Sequence, residues 1–223
     1  MTTITSLYPT REEHTLAASL LRELTYPWEA LADIARFIRT LGESLSGDYI
    51  QQGDAVWVHR EATVAPTAYL GAGTVICAGA EVRHGAYIRG DALVGAGAVV
   101  GNSTELKNVI LFDGVQVPHY NYVGDSILGY KAHMGAGAIT SNVRADKQLV
   151  FVHAPEGDLA TQRKKVGAFL GDGAEVGCNA VLCPGAVVGV GAVIYPLSLV
   201  RGVVPAGSLY KRAGEVVALH SDV

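Results

Sequence analysis

The chain is poor in charge and in aromatic side chains. Asp, Glu, Lys and Arg make up 17% of its 223 residues and Phe, Trp and Tyr only 7%, while half is apolar and 27 residues are glycine. Small aliphatics and glycine must therefore fill the interior. The abundance of Val, Leu and Ile excludes a disordered chain. There is no basic excess either: a net charge of -4 gives no footprint for nucleic acid. Cysteine is scarce, and Cys77, Cys178 and Cys183 fall at no disulfide or zinc spacing, which suits a reduced, cytoplasmic setting. Met1 to Thr15 has no apolar core of the signal-peptide kind. From Val176 to Val200 charge is missing altogether, a length that could cross a bilayer. Four glycines, Pro184, Pro196 and Asn179 break that stretch, and its valines follow a repeat, so no membrane partner is expected.

Residues 1–55 read as a helical cap. Thr10 and Glu13 form a capping-box pattern ahead of Leu16, Leu20, Leu21 and Leu24. Pro27 suits a first helical position, and Trp28, Leu31, Ile34, Ala35, Ile38 and Leu41 recur at helical spacing before Gly42. These helices carry no chemical motif; they are expected to cap the end of the next domain or to pack at a subunit contact.

From residue 56 the period becomes six. Val58, Val64, Leu70, Ile76, Val82, Ile88, Val94, Val100 and Leu106 are evenly spaced, and Leu111, Val117, Val123, Leu128 and Met134 continue with five-residue steps at 106 to 111 and 123 to 128. A prism-shaped parallel β-helix has this period: each side is a short strand, each corner a tight turn, each aliphatic points inward. The expected fold is all-β, a β-helix over 56–210 with a loop excursion at about 141–165. A tail at 211–223 is left unassigned.

Three sixes make one coil, so residues one coil apart stack at about 4.8 Å. Arg89 then stacks with Lys107, and Glu105 lies under Tyr122. His84, Asn102 and His119 form a column, and Met134 over Val117 brings His133 towards the same edge. Alone, each is an ordinary surface residue. Together, Arg89, Glu105, Lys107, His119, Tyr122 and His133 are expected to meet at one corner. Like charges about 5 Å apart repel by about 3 kcal/mol at an effective dielectric near 20, so the stacked cations suit a shared anion. An imidazole beside a carboxylate suits proton removal at neutral pH.

Glu105-Leu106-Lys107, then His119-Tyr120-Asn121-Tyr122-Val123-Gly124-Asp125, then Gly135-Ala136-Gly137-Ala138-Ile139-Thr140 and Asn142 resemble the left-handed β-helix acetyltransferase domain of the bifunctional enzymes that make UDP-N-acetylglucosamine. The resemblance implies transfer of an acetyl group from acetyl-CoA to the amine of an amino sugar phosphate, between subunits of a homotrimer, with no metal. It implies His119 as the base with Glu105 near it, Arg89, Lys107, Tyr122, His133 and Asn142 at the anionic sugar, and Ala136 at the CoA pocket. Lys147 matches a further substrate lysine if one residue is deleted after Asn142. His133-Met134 stands where the family has Asn-Ile, and Val143 where it has Tyr. No uridyltransferase domain is expected, because the residues before the coil hold no glycine-rich nucleotide loop. Two other readings stand beside this one: a non-catalytic sugar-phosphate, CoA-binding or assembly protein, and a metal enzyme of the carbonic-anhydrase kind that gathers His84, His119 and His133.

Overall fold

In the computed structural model, which describes residues 1–219, the repeat closes into a left-handed parallel β-helix with three sides. Side 1 runs through Val56–His59, Thr74–Ile76, Ala92–Val94, the second halves of Glu105–Leu111 and Tyr122–Leu128, then Ala168–Leu170, Ala186–Val188 and Val203–Val204. Side 2 carries Thr63–Val64 through Gln116–His119 and His133–Met134 to Ser208–Arg212. Side 3 carries Tyr69–Leu70, Tyr87–Ile88, the first halves of Glu105–Leu111 and Tyr122–Leu128, then Ile139–Thr140, Val181–Leu182 and Leu199–Val200. Most of the aliphatics spaced by six line the interior; Ile76, Ile88, Val94, Val100, Leu106, Leu111, Val117, Val123 and Leu128 are all fully buried.

Side 1 differs from the others because its outer surface is also apolar. Trp57, Val75, Leu93, Ile110, Ile127, Phe169 and Val187 stack in register on the outside, yet all are buried. A strand buried on both faces reads as an unbroken apolar run rather than an alternation. The cover is the N-terminal segment. Tyr8 packs its ring 5.0 Å from Phe112 and donates its hydroxyl to the Ile127 carbonyl, and Trp28 lies 5.9 Å from Phe169. The helical segment therefore braces a flank of the prism instead of capping its end. The end itself is covered by Tyr49–Gln51, antiparallel to Val56–His59.

The helices are also shorter than the leucine pattern predicts. Arg11–His14 is a single turn, and Thr10 gives no side-chain cap. Asp172 takes that hydroxyl and the Thr10 amide instead, at 2.8 and 3.3 Å. Pro27 opens a 3₁₀ helix, Pro27–Ala32, whose Glu29 carboxylate accepts from the Thr25 and Tyr26 amides. The long helix is Ile34–Ser44, and Gly42 lies within it rather than beyond it. A Cβ at Gly42 would sit 2.2 Å from the Trp57 ring, so the missing side chain is what lets the helix lie on the indole.

At residue 141 the chain leaves the prism. It returns with Ala168–Leu170, which pairs directly with Tyr122–Leu128. The excursion holds an antiparallel hairpin, Phe151–Ala154 with Gly157–Ala160. The tail continues side 2 as Ser208–Arg212 and folds back as Glu215–Ala218; residues 220–223 lie outside the described residues. No helix among the described residues is long and apolar enough to cross a membrane.

Two outcomes are expected. Gly42→Val should destabilise the fold by about 1–3 kcal/mol through overpacking on Trp57, whereas Gly47→Ala, with open space around it, should be near neutral in urea denaturation. Burial, and then the charge of Asp172, hold the Tyr8 phenol well above its ordinary value. A group whose folded value is raised contributes stability in full below its unfolded value and loses it as pH rises towards the folded one. Stability should therefore fall as pH rises above about 10, and Tyr8→Phe should remove part of that fall in denaturant titrations across this range.

Candidate functional site

The two five-residue steps are the two places where the prism turns a corner with one residue fewer. Between sides 3 and 1 the chain runs through Glu105–Leu111 and Tyr122–Leu128 as single seven-residue strands, bent at Asn108 and Asp125 with φ of +54 and +49°. Asn and Asp adopt that left-handed conformation more readily than most residues. Lys107 pairs with Gly124 and Val109 with Ser126, so Asn108 stacks directly beneath Asp125.

Asp125 is 2% exposed, and its carboxylate is fully used. Oδ1 accepts from Lys107 Nζ at 2.8 Å and Asn108 Nδ2 at 2.9 Å; Oδ2 accepts from Asn142 Nδ2 at 2.6 Å. The Asn108 amide also donates to the Leu31 carbonyl, tying the corner to the N-terminal brace. Asn142 reaches the Tyr122 hydroxyl at 3.1 Å. Burial, followed by the charges of Asp125 and Glu105, pushes the Tyr122 phenol above its ordinary value. It stays protonated and, as an acceptor from Asn142, keeps its own hydrogen to donate.

Arg89 lies in register with Lys107, but each cation has a carboxylate of its own. Arg89 reaches Glu105 at 3.0 Å while Lys107 holds Asp125. The chain offsets their repulsion internally, so a shared anion is not required.

Five of the six residues expected at one corner spread along side 3 and its entry. His119 stands at its entry, where Tyr120 (φ +52°) turns the chain from side 2. Glu105 and Tyr122 open their strands, and Arg89 and Lys107 stand at the exit of the side. His133 does not join them. Gln116 is its register partner, three residues before His119, and its Nδ1 is 2.7 Å from Glu175 Oε2. It lines a separate opening on side 2 with Lys131 and Glu175. Lys147 is on an exposed turn of the excursion, its amide donating to the Arg144 carbonyl.

At the entry corner a column is closed by backbone bonds. The Tyr120 amide donates to the Asn102 carbonyl, the Gly137 amide to the His119 carbonyl and the Asn179 amide to the Ala136 carbonyl. His119 is thus stacked between Asn102 and Ala136, with Cys178 one coil further on. Below, Asn102 Nδ2 donates to the His84 carbonyl. The His119 side chain is exposed and makes no hydrogen bond among the described residues. His84 is bonded to Thr67 instead, so the three histidines do not gather.

Asp125 and Asn108 are site residues that composition and spacing did not single out, although Gly124-Asp125 is part of the motif and both five-residue steps mark their corners. Asp125→Ala leaves three donors without an acceptor and places Ala at a positive φ; it should cost about 2–3 kcal/mol in urea denaturation. Asp125→Asn keeps the backbone preference and one acceptor and should cost clearly less.

Known proteins with related sequence share part of this chain. A Sulfurisphaera tokodaii protein named bifunctional sugar-1-phosphate nucleotidylyltransferase/acetyltransferase is 34% identical over 109 residues, 49% of this chain and 27% of that protein. The bifunctional protein GlmU of Methanococcus maripaludis is 28% identical over 194 residues, 85% of this chain and 47% of that protein. The chain spans about half or less of the length of these curated relatives. A solved hexapeptide transferase family protein from Anaplasma phagocytophilum superposes with a TM-score of 0.44 at 18% identity, over 76% of this chain and 82% of that one. No protein-family model matches. The chain is a left-handed β-helix built on a six-residue repeat, and over part of its length it is similar to those bifunctional proteins.

Proposed function

We propose that the chain is an acyltransferase that moves an acetyl group from acetyl-CoA to the amine of an anionic amino sugar, at a cleft between copies in a homotrimer. One observation carries this reading: an exposed imidazole without an internal partner, His119, is stacked against Ala136 at the edge of the side that bears Tyr122, Glu105 and Arg89. His119 takes the amine proton as the nitrogen bonds to the thioester carbon. The carbon–sulfur bond breaks, and the proton passes to the departing CoA sulfur. The naming of relatives as sugar-1-phosphate enzymes supports a phosphorylated acceptor.

The acceptor anion displaces Glu105 from Arg89, an exposed and readily exchanged pair, while Asp125 keeps Lys107, Asn142 and Tyr122 in place. Three to five residues separate His119 from Tyr122 and Gly124, at most about 10–16 Å of chain, with a corner at Tyr120 between them. A second copy that brings its own entry corner to this exit corner closes that distance. The outward column of side 3 supports such a contact, because Tyr69, Tyr87 and Leu199 stand exposed along it.

A non-catalytic binding role is favoured by one observation: both cations already hold carboxylates. In that reading CoA binds and no amine is acylated.

His119→Ala should lower acyl transfer about 10²-fold while CoA affinity stays nearly unchanged. Full turnover of the variant on the true acceptor would remove the base assignment. Sedimentation should give a trimer at micromolar concentration, and a monomer would overturn the shared cleft. Co-expressed His119→Ala and Arg89→Ala chains should recover activity that neither homotrimer has, if base and anion ligand come from different copies.

A further inference from the structure

The excursion at 141–167 rejoins the prism at the next strand of side 1 and builds a second cavity against the coils that follow Asn142. Its walls include Arg144, Phe151, His153, Cys183 and Arg201, around a volume of about 320 Å³. Cys183 and Arg201 follow Leu182 and Val200 on side 3, so they continue towards the C-terminus the corner column that Lys107 and Gly124 begin. At the ladder spacing, Arg201 stands about 19 Å from Lys107. The cavity is separate from the acceptor corner and does not depend on the proposed acyl transfer.

The hairpin is seated rather than loose. Gly185 and Gly202 lie under it with φ of +78 and +82°, and a Cβ on them would come within 2.9 Å of the Phe151 carbonyl oxygen and 2.6 Å of the His153 carbonyl oxygen. Val150 and Val152 are buried beneath it. The coil needs none of this to close, since Tyr122–Leu128 pairs directly with Ala168–Leu170.

The hydrogen bonds fix a charge imbalance. Arg201 can only donate, and its guanidinium is 3.0 Å from His153 Nε2. That nitrogen is placed to accept, and the other ring nitrogen, Nδ1, lies 2.6 Å from Asp158 Oδ1. Arg144 is closed off by a two-point pair with Asp146. Arg201 has no carboxylate partner among the described residues and spends one donor on a ring nitrogen. Burial outweighs the Arg201 charge and holds the Cys183 thiol above its ordinary value, so it contributes an uncharged wall.

We propose that this cavity is a second anion site that takes the phosphate of a small phosphorylated molecule, with Arg201 as its principal ligand and Arg144 at its rim. A planar guanidinium fork matches a phosphate edge better than any other side chain present, and Phe151, Val150 and Pro184 offer an apolar wall for the body that carries it. When the anion binds, Arg201 exchanges the imidazole for it, and Asp158 keeps His153 in place.

The test is calorimetric titration of the full chain with inorganic pyrophosphate, with acetate as the carboxylate arm, on the natural protein, Arg201→Gln and Arg89→Gln. Arg201 is exposed, so its replacement leaves the core intact, and an unchanged melting temperature checks this. Saturable binding of pyrophosphate is expected, weakened about tenfold or more by Arg201→Gln, little changed by Arg89→Gln and unmatched by acetate. Binding lost in Arg89→Gln but kept in Arg201→Gln would place the anion at the acceptor corner and overturn the proposal. So would equal binding of acetate, or no saturable binding in the natural protein.

Discussion

The parallel backbone ladder is the constraint on which everything else here depends. Each coil repeats the hydrogen bonds of the one below, so a residue's place on one coil fixes what stands above and beneath it. Side chains far apart in sequence become neighbours without any contact between them having been selected directly. His119 meets Ala136 because Gln116 meets His133; Asn108 meets Asp125 because Lys107 meets Gly124. The inward aliphatics hold the ladder closed, and the outward positions are left to chemistry on side 3 and to packing on side 1.

Departures from the repeat are where buried polar contacts concentrate. Each five-residue step removes one residue from the corner between sides 3 and 1, and the left-handed position that these corners share falls to Asn108 on one coil and Asp125 on the next. A shortened corner turns the Asp125 side chain into the fold, where an unpaired carboxylate would be costly. Three donors converge on it, and with them Lys107 and Asn142 lose their freedom of rotation. The excursion is the other departure. It leaves one residue before Asn142 and builds a wall for the coils that follow.

The β-helix was legible because period six has no competitor among regular structures, and the register of Glu105 with Tyr122 followed from counting. The partner of each cation was not. Counting places Arg89 over Lys107, but whether a carboxylate swings to meet either depends on backbone dihedrals at a corner, which spacing does not carry. His133 shows the same limit from another side: stacking over the right strand is not stacking over the right residue of it. The N-terminal helices misled for a tertiary reason. Thr10 has the sequence of a cap, but Asp172 competes for its hydroxyl and amide and wins. The apolar triplets Val56-Trp57-Val58 and Val109-Ile110-Leu111 did carry the signal of a covered flank, because a strand with a wet outer face has no use for a middle aliphatic.

The brace on side 1 joins an early segment of the sequence to residues made much later. Tyr8 bonds to Ile127 across 119 residues, and Thr10 to Asp172 across 162. On the ribosome the N-terminal segment emerges long before the surface that it covers. The early coils can stack one upon another as they appear, each resting only on its predecessor, as in other solenoids. Docking is complete only once Phe169 and Asp172 have been added. Docking then links coils that otherwise touch only their neighbours, and an array able to fray coil by coil becomes a unit that opens as a whole.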